Sequence, residues 1–333
     1  MRRINAVGYY GWDNFGDELF RIAVQRNREL IWGEGARVRS FVTPVRTLHQ
    51  NLGVLGRVTR LVETLIGAVW ADTVALCGGS VLEDVRGTQR LRGLILRRRT
   101  IEGLGVSLGP WESEAPRERV QAYLKRMERV VVRDQASSDR LGGSVPVGGD
   151  LAALYPMPRF STGERKHLTI CVSKDSRSTV DELVALLSAL LRGIDLPVKL
   201  LALNVRRSHG DVEFSHEIRE RLLPHHSDVE VVKFESIDQS IGIIAKSKAV
   251  WSQRLHGLIV AYLCDVPILA LSHHQKISDF AAHIRLPTRF LRTDLTFDDE
   301  VRSAAAETLL ANPKWEVTPQ QYKDATIEAM RAS

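Results

Sequence analysis

Short apolar runs of strand length alternate along the chain with longer stretches in which apolar residues return every three or four positions, the spacing of one helix face. Residues 4–10, 37–43, 73–77, 101–108 and 130–133 read as strands. Residues 17–30, 54–70, 88–99 and 115–127 read as the helices between them, followed by a short helix and the apolar segment 145–147. After a break the alternation resumes, with strands at 168–173, 198–203, 229–234, 249–252 and 268–272 and helices between them, of which 179–191 is one. Two helical patterns, 298–311 and 319–330, close the chain. Such regular β-α alternation predicts parallel sheets covered on both faces.

The break, residues 148–163, holds Gly148, Gly149, Pro156, Pro158 and Gly163, the composition of a connection between domains. A chain of 333 residues also exceeds what one hydrophobic core usually organises. The expectation is an α/β protein of two doubly wound, Rossmann-like domains facing across a cleft, a GT-B-like architecture. Residues 1–150 form the N-terminal domain, 164–295 the C-terminal domain, and 296–333 terminal helices that pack back on the first. Ligands of such sheets bind beyond the carboxyl ends of the strands, so the expected site is the cleft.

Composition narrows the partners. A hydrophobic content of 44% and a charged content of 26% are those of a soluble globular protein. The net charge of +6 favours an anion: a phosphorylated metabolite, nucleic acid or anionic lipid. The basic runs lack the interleaved aromatics that serve as base-stacking platforms, which argues against nucleic acid. Cys77, Cys171 and Cys264 form no CxxC pair and sit in apolar stretches, as buried reduced thiols of a cytoplasmic protein do. The start, MRRINAVGYYGWDNFGD, is too polar for a signal peptide. No uncharged apolar run reaches the roughly 18 residues of a membrane span.

Five stretches carry candidate chemistry. GYYGWDNFGDEL (from Gly8) joins a strand to a helix. Gly11 and Gly16 permit close approach of a ligand, Asn14 and Asp17 offer hydrogen bonds to sugar hydroxyls, and Asp17 is equally readable as a helix N-cap. CGGSVLED places Gly78 and Gly79 at a strand end, where backbone N–H groups can meet an anion, with Asp84 as acceptor or base; a plain tight turn is the other reading. In VVVRDQASSDRL, Arg133 ends a strand and points to the ligand edge, or pairs with Asp134. SQRLHGLIVAYL puts Arg254 and His256 at a strand-to-helix junction, where free N–H groups and the helix dipole attract anions and a guanidinium fork suits carboxylate or phosphate. A structural histidine satisfied by backbone is the alternative for His256. ALSHHQKISDF adds His273, His274 and Lys276, without the further ligands that a zinc site requires.

Taken in order, these stretches resemble the polysaccharide pyruvyltransferase family. GYYGWDNFGDE is similar to its amino-terminal motif, CGGSVLEDV to its GGxLxxD segment, GVSLGP and VRDQASSDRL to its middle motifs, and SQRLHGLIVAYLCDVPILAL with SHHQKISDF to its carboxyl-terminal pair. The family often has three glycines where Cys77-Gly78-Gly79 stands, and Gln-Gly in place of Val106-Ser107. The resemblance implies transfer of the pyruvyl unit of phosphoenolpyruvate to two hydroxyls of a sugar in a cell-surface polysaccharide or its precursor. No cofactor or metal is expected, phosphoenolpyruvate being a co-substrate. The resemblance puts Arg254 and His256 at the donor; the residue chemistry then assigns His256 as general acid, Arg254 with Arg133, Lys276, Gly78 and Gly79 to the donor, and Asn14, Asp17 and Asp84 to the acceptor. The first domain would then take the acceptor and the second the donor. The arginines of 54–70 and 88–99 (Arg57, Arg60, Arg90, Arg92, Arg97, Arg98 and Arg99) suggest peripheral contact with an anionic membrane, or else belong to ordinary sheet-covering helices. The alternative function is a GT-B glycosyltransferase that uses a nucleotide sugar.

Overall fold

The computed structural model describes residues 2–50, 52–82, 84–85, 99–175, 177–206, 209–271, 274–310 and 312–331. The chain divides into two compact units. The first comprises Met1–Asp13, Asp17–Tyr155 and Gln321–Ser333; the second comprises Asn14–Gly16 and Pro156–Gln320.

In the first unit, β1 (Arg3–Val7), β2 (Arg37–Arg39), β3 (Thr73–Cys77), β4 (Thr100–Val106) and β5 (Arg129–Val132) form one sheet in the order β2-β1-β3-β4-β5. Every pairing is parallel. The helices are α1 (Phe15–Arg26), α2 (Arg28–Trp32), α3 (Arg46–His49), α4 (Val54–Trp70), α5 (Glu114–Leu124) and α6 (Gln135–Asp139). The helical pattern over 17–30 breaks at Asn27, whose amide donates to the carbonyls of Ala23 and Leu154. The expected strands 4–10 and 37–43 are shorter than their apolar runs. Gly8 and the residues after it leave β1 for a turn. The helix expected over 88–99 lies, apart from Arg99, outside the described residues.

The second unit repeats the plan. Its strands are β6 (His167–Cys171), β7 (Val198–Ala202), β8 (Val229–Lys233), β9 (Ser247–Ser252), β10 (Ile268–Leu271) and β11 (Leu291–Arg292), in the order β11-β10-β9-β6-β7-β8 and again all parallel. Its helices are α7 (Val180–Leu190), α8 (Val212–Leu222), α9 (Ile237–Ala245), α10 (Leu255–Leu263), α11 (Gln275–His283) and α12 (Asp299–Leu310). Thr179 and Glu182 close a capping box on α7, satisfying donors that the first helical turn leaves open. The core runs from Leu168 and Ile170 on β6 through Leu183 and Leu187 on α7 to Trp251 on β9. The buried indole N–H of Trp251 donates to Thr308 Oγ1 at 3.0 Å, which fastens α12 to this unit. The two C-terminal helices thus part company. Helix α12 packs in the second core, whereas α13 (Pro319–Met330) contributes residues from Gln321 onward to the first unit. There the Tyr322 hydroxyl accepts from the Asp150 amide at 2.7 Å.

Candidate active site

Each sheet has one place where the strand order reverses, and such switch points are where open α/β sheets bind ligands. In the second unit it lies between β6 and β9. Beyond the end of β9, Ser252 Oγ accepts from the Arg254 amide (2.9 Å) and donates to its carbonyl (2.8 Å). The Gln253 side chain spans Ser173 N (3.0 Å) and Ser178 Oγ (3.1 Å). These bonds fix the turn that leads into α10. Gly257, in the first turn of that helix, leaves no room for a Cβ, which would stand 2.6 Å from Ser252 Oγ.

Arg254 is not the free fork expected of it. Its Nε donates to Asp211 Oδ2 at 2.9 Å, its Nη2 donates to Asp211 Oδ1, and its Nη1 donates to Asp175 Oδ2 at 3.0 Å. Three of its five N–H groups therefore hold the protein's own carboxylates. Asp211 is fully buried, while the arginine side chain is 14% exposed. Asp211 also accepts from the amides of Lys174 (3.1 Å) and Asn204 (3.2 Å). Burial pushes its carboxyl above the usual range, against the pull of Arg254. A buried charge requires a partner, and Asp211 supplies it here.

His256, half-buried in the first turn of α10, meets the amino-terminal motif. Asn14–Gly16 belongs to the second unit. Asn14 bridges Asn204 in antiparallel fashion, and the Phe15 amide donates to the Leu203 carbonyl at 2.9 Å. This seats Gly16 directly on the imidazole: a Cβ at Gly16 would lie 1.9 Å from His256 Nδ1 and 2.3 Å from Cε1. The glycine of NFGDE is therefore a steric requirement of the histidine of SQRLH. Asn14 itself acts as a cap, its Oδ1 accepting from the Gly16 amide at 3.1 Å, rather than as an open sugar ligand. Lys276 is exposed in the first turn of α11. His273 lies outside the described residues.

The remaining expected residues lie in the first unit, and three of them are corrected. Arg133 is buried and turned inward. Its Nε donates to Asp134 Oδ2 at 3.1 Å and its Nη2 to Ser107 Oγ at 3.1 Å, and Asp150 stands 4.0 Å from Nη1. It neutralises internal carboxylates and does not reach the ligand edge. Gly78 spends its N–H on the Leu104 carbonyl (2.8 Å), so it offers no donor to an anion. Its φ of 72° and a would-be Cβ 2.4 Å from Phe20 explain the glycine instead. Asp84 has both oxygens held by Arg119, at 2.9 and 3.0 Å. Gly79 and Asp17 do come together, a Cβ on Gly79 standing 3.7 Å from Asp17 Oδ1.

The Arg133 cluster has a consequence for acid stability. Burial alone would raise the Asp134 carboxyl, but the Arg133 charge and two hydrogen bonds from Ser137 outweigh it and hold it below the usual carboxylate range. A carboxylate depressed on folding stabilises the protein above its unfolded pKa, about 3.9 for aspartate, and that contribution fades as pH falls through the folded value. Acid unfolding followed by circular dichroism should therefore set in below about pH 4, and Asp134→Asn should flatten that dependence.

Asp211 and Asp175 escaped sequence reasoning. The available signal was Arg254 itself, since an arginine at the head of an apolar helix needs a carboxylate from elsewhere in the chain. His49 and Glu63 were also missed, 14 residues apart in sequence yet joined through His49 Nδ1 and Glu63 Oε1 at 3.0 Å.

Structures with the same fold include three bound to UDP or UDP-GlcNAc. They are the Neisseria meningitidis UDP-GlcNAc 2-epimerase bound to UDP-GlcNAc (12% identity, 99% of each chain covered, TM-score 0.59), S. aureus MnaA with UDP (13%, 99% of this chain and 91% of that one, 0.58) and Anabaena Alr3699/HepE with UDP and glucose (15%, 99% and 95%, 0.57). At these identities they establish the fold, GT-B with two parallel-sheet α/β domains, and nothing finer. No curated protein matches the sequence. The family profile of polysaccharide pyruvyl transferase matches residues 14–275, a span that opens at the Asn14–Gly16 seat and includes the Arg254–His256 junction. By that match, the chain belongs to the polysaccharide pyruvyl transferase family.

Proposed function

We propose that the protein moves the pyruvyl group of phosphoenolpyruvate onto two hydroxyls of one sugar, forming a cyclic ketal and releasing phosphate. Family membership supports the reaction class. The observation that carries the reading is the seating of the His256 imidazole on Gly16, at the head of a helix and at a switch point. Phosphoenolpyruvate is inert to hydroxyls until its methylene carbon is protonated. Protonation forms the methyl group and leaves C2 cationic. One sugar hydroxyl bonds to C2 and loses its proton; a second hydroxyl then displaces phosphate, with the loss of a second proton. His256 supplies the first proton. Arg254 acts as a positioning residue, clamping the head of α10 to Asp211 and turning its remaining N–H groups toward the donor's carboxylate. Lys276 contacts the phosphate, and Asp17, beside Gly79, serves the acceptor.

The test is incubation with phosphoenolpyruvate and a panel of nucleotide-linked and polyprenyl-diphosphate-linked hexoses. The expected result is phosphate release together with a product heavier by one ketal-linked pyruvyl group. Release of nucleoside diphosphate, with phosphoenolpyruvate untouched, would instead establish the glycosyltransferase alternative.

The lipid-linked probes are included because of α4. Val54, Leu55, Val58, Val62, Leu65, Ile66 and Val69 are exposed along it. Its one carboxylate, Glu63, is turned toward His49, and Arg57 is exposed. No helix among the described residues is long and apolar enough to cross a membrane. An apolar face with basic and no outward acidic side chains suits the surface of an anionic bilayer. The protein should float with phosphatidylglycerol vesicles at low salt, and Val58→Asp with Leu65→Asp should abolish this; absence of flotation by the wild type at low salt removes the membrane reading.

A further inference from the structure

The first sheet reverses its strand order between β1 and β3, and a cavity of 380 Å³ opens there. That size falls in the roughly 300–1,000 Å³ range of small-molecule sites. Helix α4 borders it on one side, and Tyr9, Tyr10, Trp12 and Phe41 give it an aromatic wall. None of the residues singled out by the sequence motifs as catalytic or ligand-binding lines it.

Two polar atoms in its lining are unmet. Asn5 Oδ1 and His49 Nε2 are buried without a hydrogen-bond partner among the described residues, on residues only 2% and 4% exposed. The imidazole's orientation follows from its other nitrogen. Glu63 Oε1 stands 3.0 Å from His49 Nδ1 and accepts from the Thr43 amide at 2.7 Å. A carboxylate only accepts, so a proton sits on Nδ1, and the tautomer with that proton alone presents a lone pair at Nε2. Both unmet atoms are thus acceptors, and buried acceptors left unpaired are costly. The occupant that satisfies them brings O–H or N–H donors.

Charge and shape narrow it further. The charged side chains of the lining, Arg60 and Glu63, cancel. Arg60 is committed to the structure, its guanidinium 5.4 Å from the Trp12 ring centroid and its Nη1 donating to the His49 carbonyl at 2.7 Å. An anion finds no net attraction here. A neutral molecule with hydroxyl donors on one edge and a C–H face for aromatic rings fits, and a pyranose has both. We infer that this cavity holds a neutral sugar ring of the acceptor, its hydroxyls donating to His49 Nε2 and Asn5 Oδ1. That the ring belongs to an acceptor rests on the function proposed above; that the cavity binds a neutral sugar does not.

Saturation-transfer NMR with the methyl pyranosides of galactose, mannose and glucose tests binding without turnover. The expected result is transfer to at least one of them from the wild type. It should be lost in Asn5→Ala and His49→Phe, and in Thr64→Leu, which fills the cavity from α4 while leaving the His49–Glu63 pair in place. It should be kept in His256→Asn. Transfer to none of the three, or transfer that survives Thr64→Leu in a folded protein, overturns the inference. If transfer behaves as expected and no ketal forms from phosphoenolpyruvate, the sugar cavity stands and the pyruvyl-transfer reading falls. If ketal forms with an unchanged acceptor KM in Thr64→Leu, the cavity inference alone fails.

Discussion

Gly16→Ala is expected to lower kcat by about 100-fold or more, the scale of losing a positioned general acid, while the protein stays folded. A methyl group there would stand 1.9 Å from His256 Nδ1, so the ring must leave its seat. The backbone gives no opposing reason for glycine, since Gly16 lies in the first turn of α1 without the positive φ of Gly11 or Gly78. Alanine is also the better helix former, by roughly 1 kcal/mol. Stability and turnover should therefore separate: thermal unfolding stays within a few degrees of wild type, and steady-state kinetics collapse. Unchanged kcat in Gly16→Ala would show that the position of the imidazole does not matter to the reaction.

Arg254→Ala should act first on stability. It leaves Asp211, fully buried, without its cation, and breaking one side of a buried pair costs about 3–5 kcal/mol. For a domain of this size that corresponds to a fall in Tm of about 10 °C. A simple anion-fork role and the positioning role diverge in Asp211→Asn. Were Arg254 chiefly a receptor for phosphoenolpyruvate, removing a competing carboxylate would lower the donor KM. In the positioning account the same change loosens the clamp at the head of α10, and kcat falls with little gain in KM. Calorimetry and donor titrations on the two variants distinguish these outcomes.

Buried parallel strands made the fold legible. A strand covered on both faces is a continuous apolar run, and residues 73–77 coincide with β3. Helix 54–70 coincides with α4 because its apolar residues return every three or four positions. Strand ends were less legible, because the apolar run of 4–10 continues into the turn after Val7, where Tyr10 stays buried without being part of the sheet. The two-residue β11 lies below the length at which periodicity carries information.

The site was legible where it is local in sequence, and illegible where it depends on distant partners. Arg254 and His256 stood out by residue type at a junction, but nothing in SQRLH indicates that Asp211, 43 residues earlier, already occupies the fork. Arg133, just past a strand, and Asp84, in the segment after β3, mislead for the same reason: a charged side chain near the carboxyl edge of a sheet reads alike whether it faces a ligand or an internal ion pair. In sequence Gly16 reads as room for a ligand; in the fold its space is taken by the protein's own histidine.

The most direct test follows the proton. In D2O, with phosphoenolpyruvate and an accepted sugar, the wild-type enzyme should give a ketal whose methyl group carries one deuteron, with one phosphate released per ketal. His256→Asn, folded and with its donor KM little changed, should form that product at least ~100-fold more slowly. Wild-type rates from His256→Asn would contradict the account at its centre.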